Sequence, residues 1–391
     1  MGTQHQPLVV DLDGTLLKTD TLYELIFFAI RANPLNLIRV LVAALQGRPR
    51  LKSFVAQFAA RVVPTLPTNP EVIELARKAR IERRPVYLAT ASSSEVAGEV
   101  DRLYGPFEGV FASSESINLK GSTKARVLEE HFGPHGFDYV GNEAADISVF
   151  KGAATGVLVG GGASLLRRAR LANSSIAHLP SKAAWRGLWD LARPYQWVKN
   201  LLLFVPALGA KAFDFPVLSN LFLGFLALSA VASALYVLND LLDAADDRTH
   251  PTKRYRPLAQ GNVSVPAASL LSGLLTLLGV LIAFSVSPGF LAVLGAYSLL
   301  ALAYSLFLKR LAVFDVFGLA SLYAVRLVGG AVIANVALSP WLMSFSFFVF
   351  LFLALAKRYV EITEDNLEQG EKVRGRGYAP SDSNLVGWAG V

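Results

Sequence analysis

The chain has 391 residues, is 53% hydrophobic and only 17% charged, and its mean hydropathy is +0.43. That is too apolar for a water-soluble enzyme of this length and points to a membrane protein. A formal charge of +7 without a single cysteine excludes disulfide frameworks, thiolate metal sites and cysteine nucleophiles, and directs the search to phosphate or anionic-lipid partners. The cations form no stripe of the kind that binds nucleic acid.

The amino terminus, MGTQHQPLVVDLDGT, lacks a basic segment followed by an apolar one. It therefore does not read as a secretory signal, and it is expected to stay in the cytoplasm. Residues 1 to about 190 carry ordinary mixed charge, whereas no charge falls between Pro257 and Leu308. The sequence thus predicts a water-soluble half followed by a lipid-soluble half.

In the first half, PLVVDLDGTLLKTD reads as a short buried strand, Leu8 to Val10, that delivers Asp11 and Asp13 to the loop at its carboxyl end. Sheets of α/β proteins place their chemistry there. Two carboxylates at i and i+2 can hold Mg²⁺ with one oxygen aimed at phosphorus. VYLATAS ends a second strand near Thr90, STKARVLEEHFG carries Lys124, with Lys120 as the competing lysine, and FDYVGNEAADISVF brings Asn142 and Asp146. DxDGT and these later segments, in this order, resemble the haloacid dehalogenase-like phosphotransferase superfamily over about residues 7 to 175. The resemblance implies an α/β Rossmann-like domain over 1–178, with a helical cap at about 20–80 that restricts the substrate. It also implies that Asp11 attacks phosphorus, that Asp13 protonates the leaving group and later activates water, that Thr90 binds the phosphoryl group and that Lys124 neutralises charge. Asp11, Asp13, Asn142 and Asp146 become the expected Mg²⁺ ligands. Asn142 stands where the family usually has aspartate, and an amide is a weaker ligand. The apolar stretch Leu22 to Leu45 is interrupted by Arg31 and Pro34 and is not expected to span a membrane.

KAAWRGLWDLARPYQWVKN, with Trp185, Trp189 and Trp197, is predicted to form an amphipathic helix in the headgroup layer over 179–198. A membrane domain over 199–391 follows. A span needs roughly 20 apolar residues; the expected ones are a short segment at 199–211 and longer ones at 216–239, 265–285, 288–308, 313–335 and 339–356. Lys199, the cations of 248–256, Lys309 and Arg310, and Lys357, Arg358, Lys372, Arg374 and Arg376 fall on one side, and the alternate turns hold only Lys211. By the positive-inside rule that side is the cytoplasm, shared with the first half, and the protein is expected to be multi-pass in the inner (plasma) membrane.

YVLNDLLDAADDRTHPTKRYRPLAQG, 236–261, places Asp240, Asp243 and Asp247 at i, i+3 and i+7, one face of a helix, with Asn239 at its head. Three carboxylates on one stripe repel unless cations lie between them, and a divalent metal meets that need. Lys253, Arg254 and Arg256 then require an anion of their own, and a Mg²⁺-bridged diphosphate satisfies both sets. NDxxDxxxD followed by HPTKRYRPLAQG resembles the UbiA-type intramembrane prenyltransferase superfamily. RPYQWVKN, DRTHPTKRYRP, YAVRLVGGA and AKRYVEI are similar to its decaprenyl-phosphate phosphoribosyltransferase branch.

The resemblance implies an all-α bundle in which Mg²⁺ held by Asp240, Asp243 and Asp247 draws pyrophosphate from phosphoribosyl pyrophosphate, with a polyprenyl phosphate as acceptor. Asn239, Lys199, Lys253, Arg254, Arg256, Arg326, Lys357, Arg358, Tyr359 and Glu361 are the expected substrate-binding residues. The last four stand where users of prenyl diphosphates generally carry a second DxxxD, and this suggests a donor with an extra phosphate. Arg326, on the same helical face as Asp315, is either functional or half of a structural pair. The rival readings are an aromatic-acceptor polyprenyltransferase fed by an isoprenoid diphosphate, and a membrane-anchored phosphatase with a lipid-binding domain that does no chemistry. Superfamily members usually have nine spans, so six and the opening of a seventh in SDSNLVGWAGV imply a bundle lacking its last helices. With both sites facing the cytoplasm, the first half is expected to remove the 5-phosphate from the lipid product of the second.

Overall fold

A computed structural model describes residues 6–114, 117–180 and 184–364. The expected cytoplasmic cations Lys372, Arg374 and Arg376 and the opening of a seventh span lie outside the described residues. The chain divides into two compact units, one formed by Met1–Leu188 with Asp240–Ala268 and the other by Trp189–Asn239 with Ser269–Val391.

The first unit is an α/β domain around a six-stranded sheet with the order β3-β2-β1-β4-β5-β6, every pairing parallel. The strands are β1 (Leu8–Val10), β2 (Val86–Ser93), β3 (Gly109–Ser113), β4 (Asp138–Gly141), β5 (Gly156–Val159) and β6 (Ile176–Leu179). Because the chain leaves β1 for β2 on one side and β4 on the other, the carboxyl end of β1 is the switch point where such sheets open a crevice. Strand β1 alternates between two cores: Leu8 and Val10 pack with the helices on one face, and Val9 packs with Leu128, Phe137 and Phe150 on the other.

Between β1 and β2 run α1 (Thr21–Ala32), α2 (Asn36–Leu45), α3 (Arg48–Ala56), α4 (Ala59–Val62) and α5 (Pro70–Ile81). The first four match the cap expected at 20–80. Helix α5 instead buries Val72, Ala76 and Ala79 in the core beside β1 and β2. Later helices α6 (Ser94–Tyr104), α7 (Ser122–Phe132), α8 (Ile147–Gly152) and α9 (Ala163–Ala172) complete the two layers.

Helix α10 (Ala184–Ala192) is followed by a 3₁₀ run, Pro194–Phe204, and by α11 (Val205–Ala210). The short first span expected at 199–211 therefore takes the form of two abutting pieces, since Pro206 falls where a continuous α-helix would need its N–H. Among the described residues five helices are long and apolar enough to cross a membrane: α12 (Phe215–Thr249), α13 (Val265–Val286), α14 (Pro288–Leu306), α15 (Phe314–Ala334) and α16 (Pro340–Glu364). In the second unit Leu203, Leu221, Leu228, Phe290, Leu294 and Ile333 form the common core. Gly330 permits the tightest approach there, because a Cβ would lie 2.0 Å from the Leu203 carbonyl oxygen.

Candidate functional site

Asp11 follows β1 directly, and its N–H donates to Val140 O at 2.9 Å, which ties the loop to β4. Gly14 closes that loop with φ +74°, and a Cβ on it would overlap the Asn142 side chain at 2.0 Å, so only glycine lets the two motifs approach. Lys124, near the start of α7, donates to Asp11 Oδ1 at 2.6 Å and to Tyr139 OH at 3.1 Å. The Tyr139 hydroxyl donates in turn to Asp146 Oδ1 at 2.8 Å. The backbone N–H groups of Asn142 and Glu143 donate to Asp146 Oδ2 at 2.9 and 3.0 Å. Of the two candidate lysines, Lys124 is the one on Asp11; Lys120 pairs with Glu143 at 3.0 Å.

Asp13 is held by two further donors. Its Oδ1 accepts the Thr21 N–H at the start of α1 at 2.7 Å, and its Oδ2 accepts the Ser92 hydroxyl at 2.7 Å. Thr90 is buried on β2 and accepts the Ser92 N–H at 2.9 Å. Burial pushes the Asp11 carboxyl up from 3.8 to about 7, against the pull of the Lys124 ammonium. Lys124 loses solvation as well, but Asp11 and Asp146 outweigh that loss and raise its pKa.

Sequence reasoning passed over Thr15, Ser92, Tyr139 and Lys52. Thr15 Oγ1 donates toward Asp11 Oδ2 at 3.3 Å and toward Asn142 Oδ1 at 3.2 Å. Lys52 reaches from α3 to the Ala91 carbonyl at 2.6 Å. Thr15, Ser92 and Tyr139 stand inside quoted motifs and could have been flagged; Lys52 had no local signal.

The second constellation is the end of α12 and the loop after it. Asp240, Asp243 and Asp247 do share one helical face, but among the described residues no group of three acidic or histidine side chains is arranged to hold a metal ion. The acids are instead bonded to arginines. Arg256 Nη1 donates to Asp240 Oδ1 at 3.0 Å and to Asp247 Oδ2 at 2.7 Å. Asp243 is held by Arg31 of α1, whose Nε donates to its Oδ1 at 2.8 Å. Arg256 is thus a counter-ion of Asp240 and Asp247. Lys253 and Arg254 lie on a 3₁₀ turn, Lys253–Tyr255, with Arg254 exposed over the Tyr255 ring.

In each constellation two side-chain oxygens converge on one donor: Asp11 and Asn142 on the Thr15 hydroxyl, Asp240 and Asp247 on Arg256. Mg²⁺ commonly keeps waters and substrate oxygens and asks the protein for one or two carboxylates. Both donor sets fit that modest demand.

In the second unit, Arg326 Nε donates to Asn200 Oδ1 at 2.9 Å and Nη2 to Tyr297 OH at 3.2 Å. Its guanidinium also lies over the Tyr297 and Tyr323 rings at 5.0 and 5.2 Å. Lys199 approaches the same Tyr323 ring at 5.9 Å, and Asn239 accepts from Lys309 at 3.4 Å. Asp315 is not the partner of Arg326, contrary to the pairing weighed from sequence. It is fully buried against Arg358, which also reaches Glu361 and Tyr304. Arg358, expected to bind substrate, is committed to that interior pair. Lys357 and Tyr359 remain exposed at the surface of α16.

Residues 200–372 match the model of the UbiA prenyltransferase family. Protein y4nM of Sinorhizobium fredii, described as uncharacterised, is 39% identical over 383 residues, 97% of this chain and 74% of its own length. The chain carries a UbiA prenyltransferase family domain over residues 200–372. Decaprenyl-phosphate phosphoribosyltransferase of Mycolicibacterium smegmatis is 36% identical over 188 residues, covering 47% of this chain and 59% of that relative; the chain thus spans about three-fifths of the relative's length. A UbiA homolog from Archaeoglobus fulgidus, solved with DMAPP and Mg²⁺, aligns at 20% identity and a TM-score of 0.44 over 52% of this chain and 72% of its own. A phospho-aspartyl intermediate analogue of phosphoserine phosphatase aligns at 15% identity and a TM-score of 0.30 over 42% of this chain and 91% of its own. With five helices able to span a bilayer, this UbiA family member is a multi-pass membrane protein.

Proposed function

We propose that the protein transfers phosphoribose from phosphoribosyl pyrophosphate to a polyprenyl phosphate at the cytoplasmic face of the inner membrane. The observation that carries this reading is the convergence of Asp240 and Asp247 on a single cationic position at Arg256, beside Lys253 and Arg254. The identity to a decaprenyl-phosphate phosphoribosyltransferase supports the choice of donor. Asp240 and Asp247 are the residues that would hold Mg²⁺, which when bound neutralises charge on a leaving diphosphate. Arg256 and Lys253 bind the diphosphate oxygens and orient the anomeric carbon. The acceptor phosphate oxygen forms the new bond to that carbon as the carbon–oxygen bond to pyrophosphate breaks.

Supplying Mg²⁺, phosphoribosyl pyrophosphate and a polyprenyl phosphate should release pyrophosphate and yield a labelled glycolipid. Transfer seen only with an isoprenoid diphosphate and 4-hydroxybenzoate would overturn the reading in favour of an aromatic acceptor. Changing even an outer partner of a metal ligand costs about 10–100-fold, so Asp240→Ala with Asp247→Ala should cost at least about a hundredfold.

The α/β unit is assigned to hydrolysis of a phosphomonoester, the 5-phosphate of the lipid product. Asp11, with an oxygen turned from Lys124 toward Thr15 and Asn142, is the nucleophile. Asp13, set apart from Asp11 and bonded to the start of α1, is the acid and base for the leaving group and water. Phosphate release from the purified glycolipid should vanish in Asp11→Asn; release equal to that of the native chain would remove the assignment.

A further inference from the structure

Four contacts within the first unit join α1 to the acidic end of α12. Arg31 donates to Asp243 at 2.8 Å and lies 3.5 Å from Asp246. Glu24, in the first turn of α1, accepts from two nitrogens of Arg248 at 2.5 and 3.2 Å, and both side chains are buried, at 5% and 6% exposure. Arg248 also donates to the Ala259 carbonyl at 3.2 Å. The loop carrying that carbonyl is seated beside the strand-β1 loop: Gly261 has φ +69°, and a Cβ on it would lie 2.7 Å from Lys18 Cβ and 3.0 Å from Pro67 Cγ. Leu258, Ala259 and Val263 are buried in consequence.

The other end of α1 is anchored in the phosphatase-like cluster. Asp13 accepts the Thr21 N–H, Asp20 caps Leu22 and Tyr23, and Thr19 donates to Glu24 at 2.8 Å. Twelve residues of helix, about 18 Å at about 1.5 Å per residue, thus run from one acidic cluster to the other. A paired, largely buried Glu–Arg fork is directional, and it fixes side-chain geometry in a way that an exposed ion pair does not.

We infer that Glu24 and Arg31 of the α/β unit are positioning residues that hold the acidic end of α12. Arg31 holds Asp243 and Glu24 holds Arg248, and together they fix the helix face from which Asp240 and Asp247 reach Arg256.

The test uses the full chain in detergent. Hydrogen exchange of peptides within 240–262 should quicken by about tenfold in Arg31→Gln and in Glu24→Gln, while peptides from β2 and β4 keep their native rates and report an intact fold. Arg31→Lys, which keeps the charge, should restore native exchange. Unchanged exchange at 240–262 in both glutamine variants overturns the inference.

Discussion

Asp11 and Lys124 are interior charges whose side chains are 8% and 4% exposed, and such a pair is tolerated only because each completes the other's hydrogen bonds. The 2.6 Å contact does not cancel the desolvation of Asp11, whose pKa is pushed up to about 7 from 3.8. A carboxyl with a raised folded pKa keeps a proton in the folded chain that the unfolded chain has already released. Its contribution is therefore greatest below pH about 4 and is lost as pH rises to about 7, roughly three units at about 1.4 kcal/mol each, or about 4 kcal/mol in all. Asp11→Asn removes that dependence. Melting curves from pH 4 to 8 should show the variant near the native chain at pH 4 and gaining on it toward pH 8; parallel curves would refute the shift. The Arg358–Asp315 pair is the corresponding interior charge of the membrane unit, with exposures of 1% and 0%. Arg358→Ala removes the cation beside buried Asp315, a loss of about 3–5 kcal/mol, which should appear as a lower melting temperature. Arg358→Met with Asp315→Leu should recover much of it.

At the scale of elements, Gly330 marks where α15 must touch the 3₁₀ run. A methyl group there would lie 2.0 Å from a backbone oxygen rather than a movable side-chain tip, so Gly330→Ala forces one element to shift. Overpacking of this kind costs about 1–3 kcal/mol, and the melting temperature in detergent should fall, whereas Gly209→Ala, with open space around its Cβ position, should change little. The long spans and the strand–loop position of DxDGT were legible because each is a local signal, twenty apolar residues in a row or a strand ending in two acids. Helix α12 was read in two parts, as an apolar span and a charged stripe, and is one 35-residue helix. What could not be read was partnership. Arg256, rather than Lys253 or Arg254, turns back to the acids because it follows the 3₁₀ turn in extended backbone, and Arg358 meets Asp315 across 43 residues. Neither choice leaves a periodicity to find.

At the scale of the whole molecule, the boundary between the compact units does not follow the boundary of hydropathy. Sequence composition assigns 240–268 to the lipid-soluble half, yet this segment groups with the α/β unit, because Arg31, Glu24, Lys18 and Pro67 supply what its charges and loop backbone need. Glu24 and Arg248 are separated by 224 residues, so no motif could announce their pairing. A membrane half expressed alone, beginning at Ala184, would keep its five long helices but leave Arg248 without its carboxylate and Asp243 without its guanidinium. Unpaired charges in partly buried positions favour local opening. Trypsin should then cut the 248–256 loop of the shortened protein about tenfold faster than the same loop in the full chain, with cleavage at Lys211 unchanged as the internal standard. Equal rates at both places would mean that the acidic helix end is held by the membrane helices themselves, and the α/β unit would then be a passenger on the transferase rather than part of it.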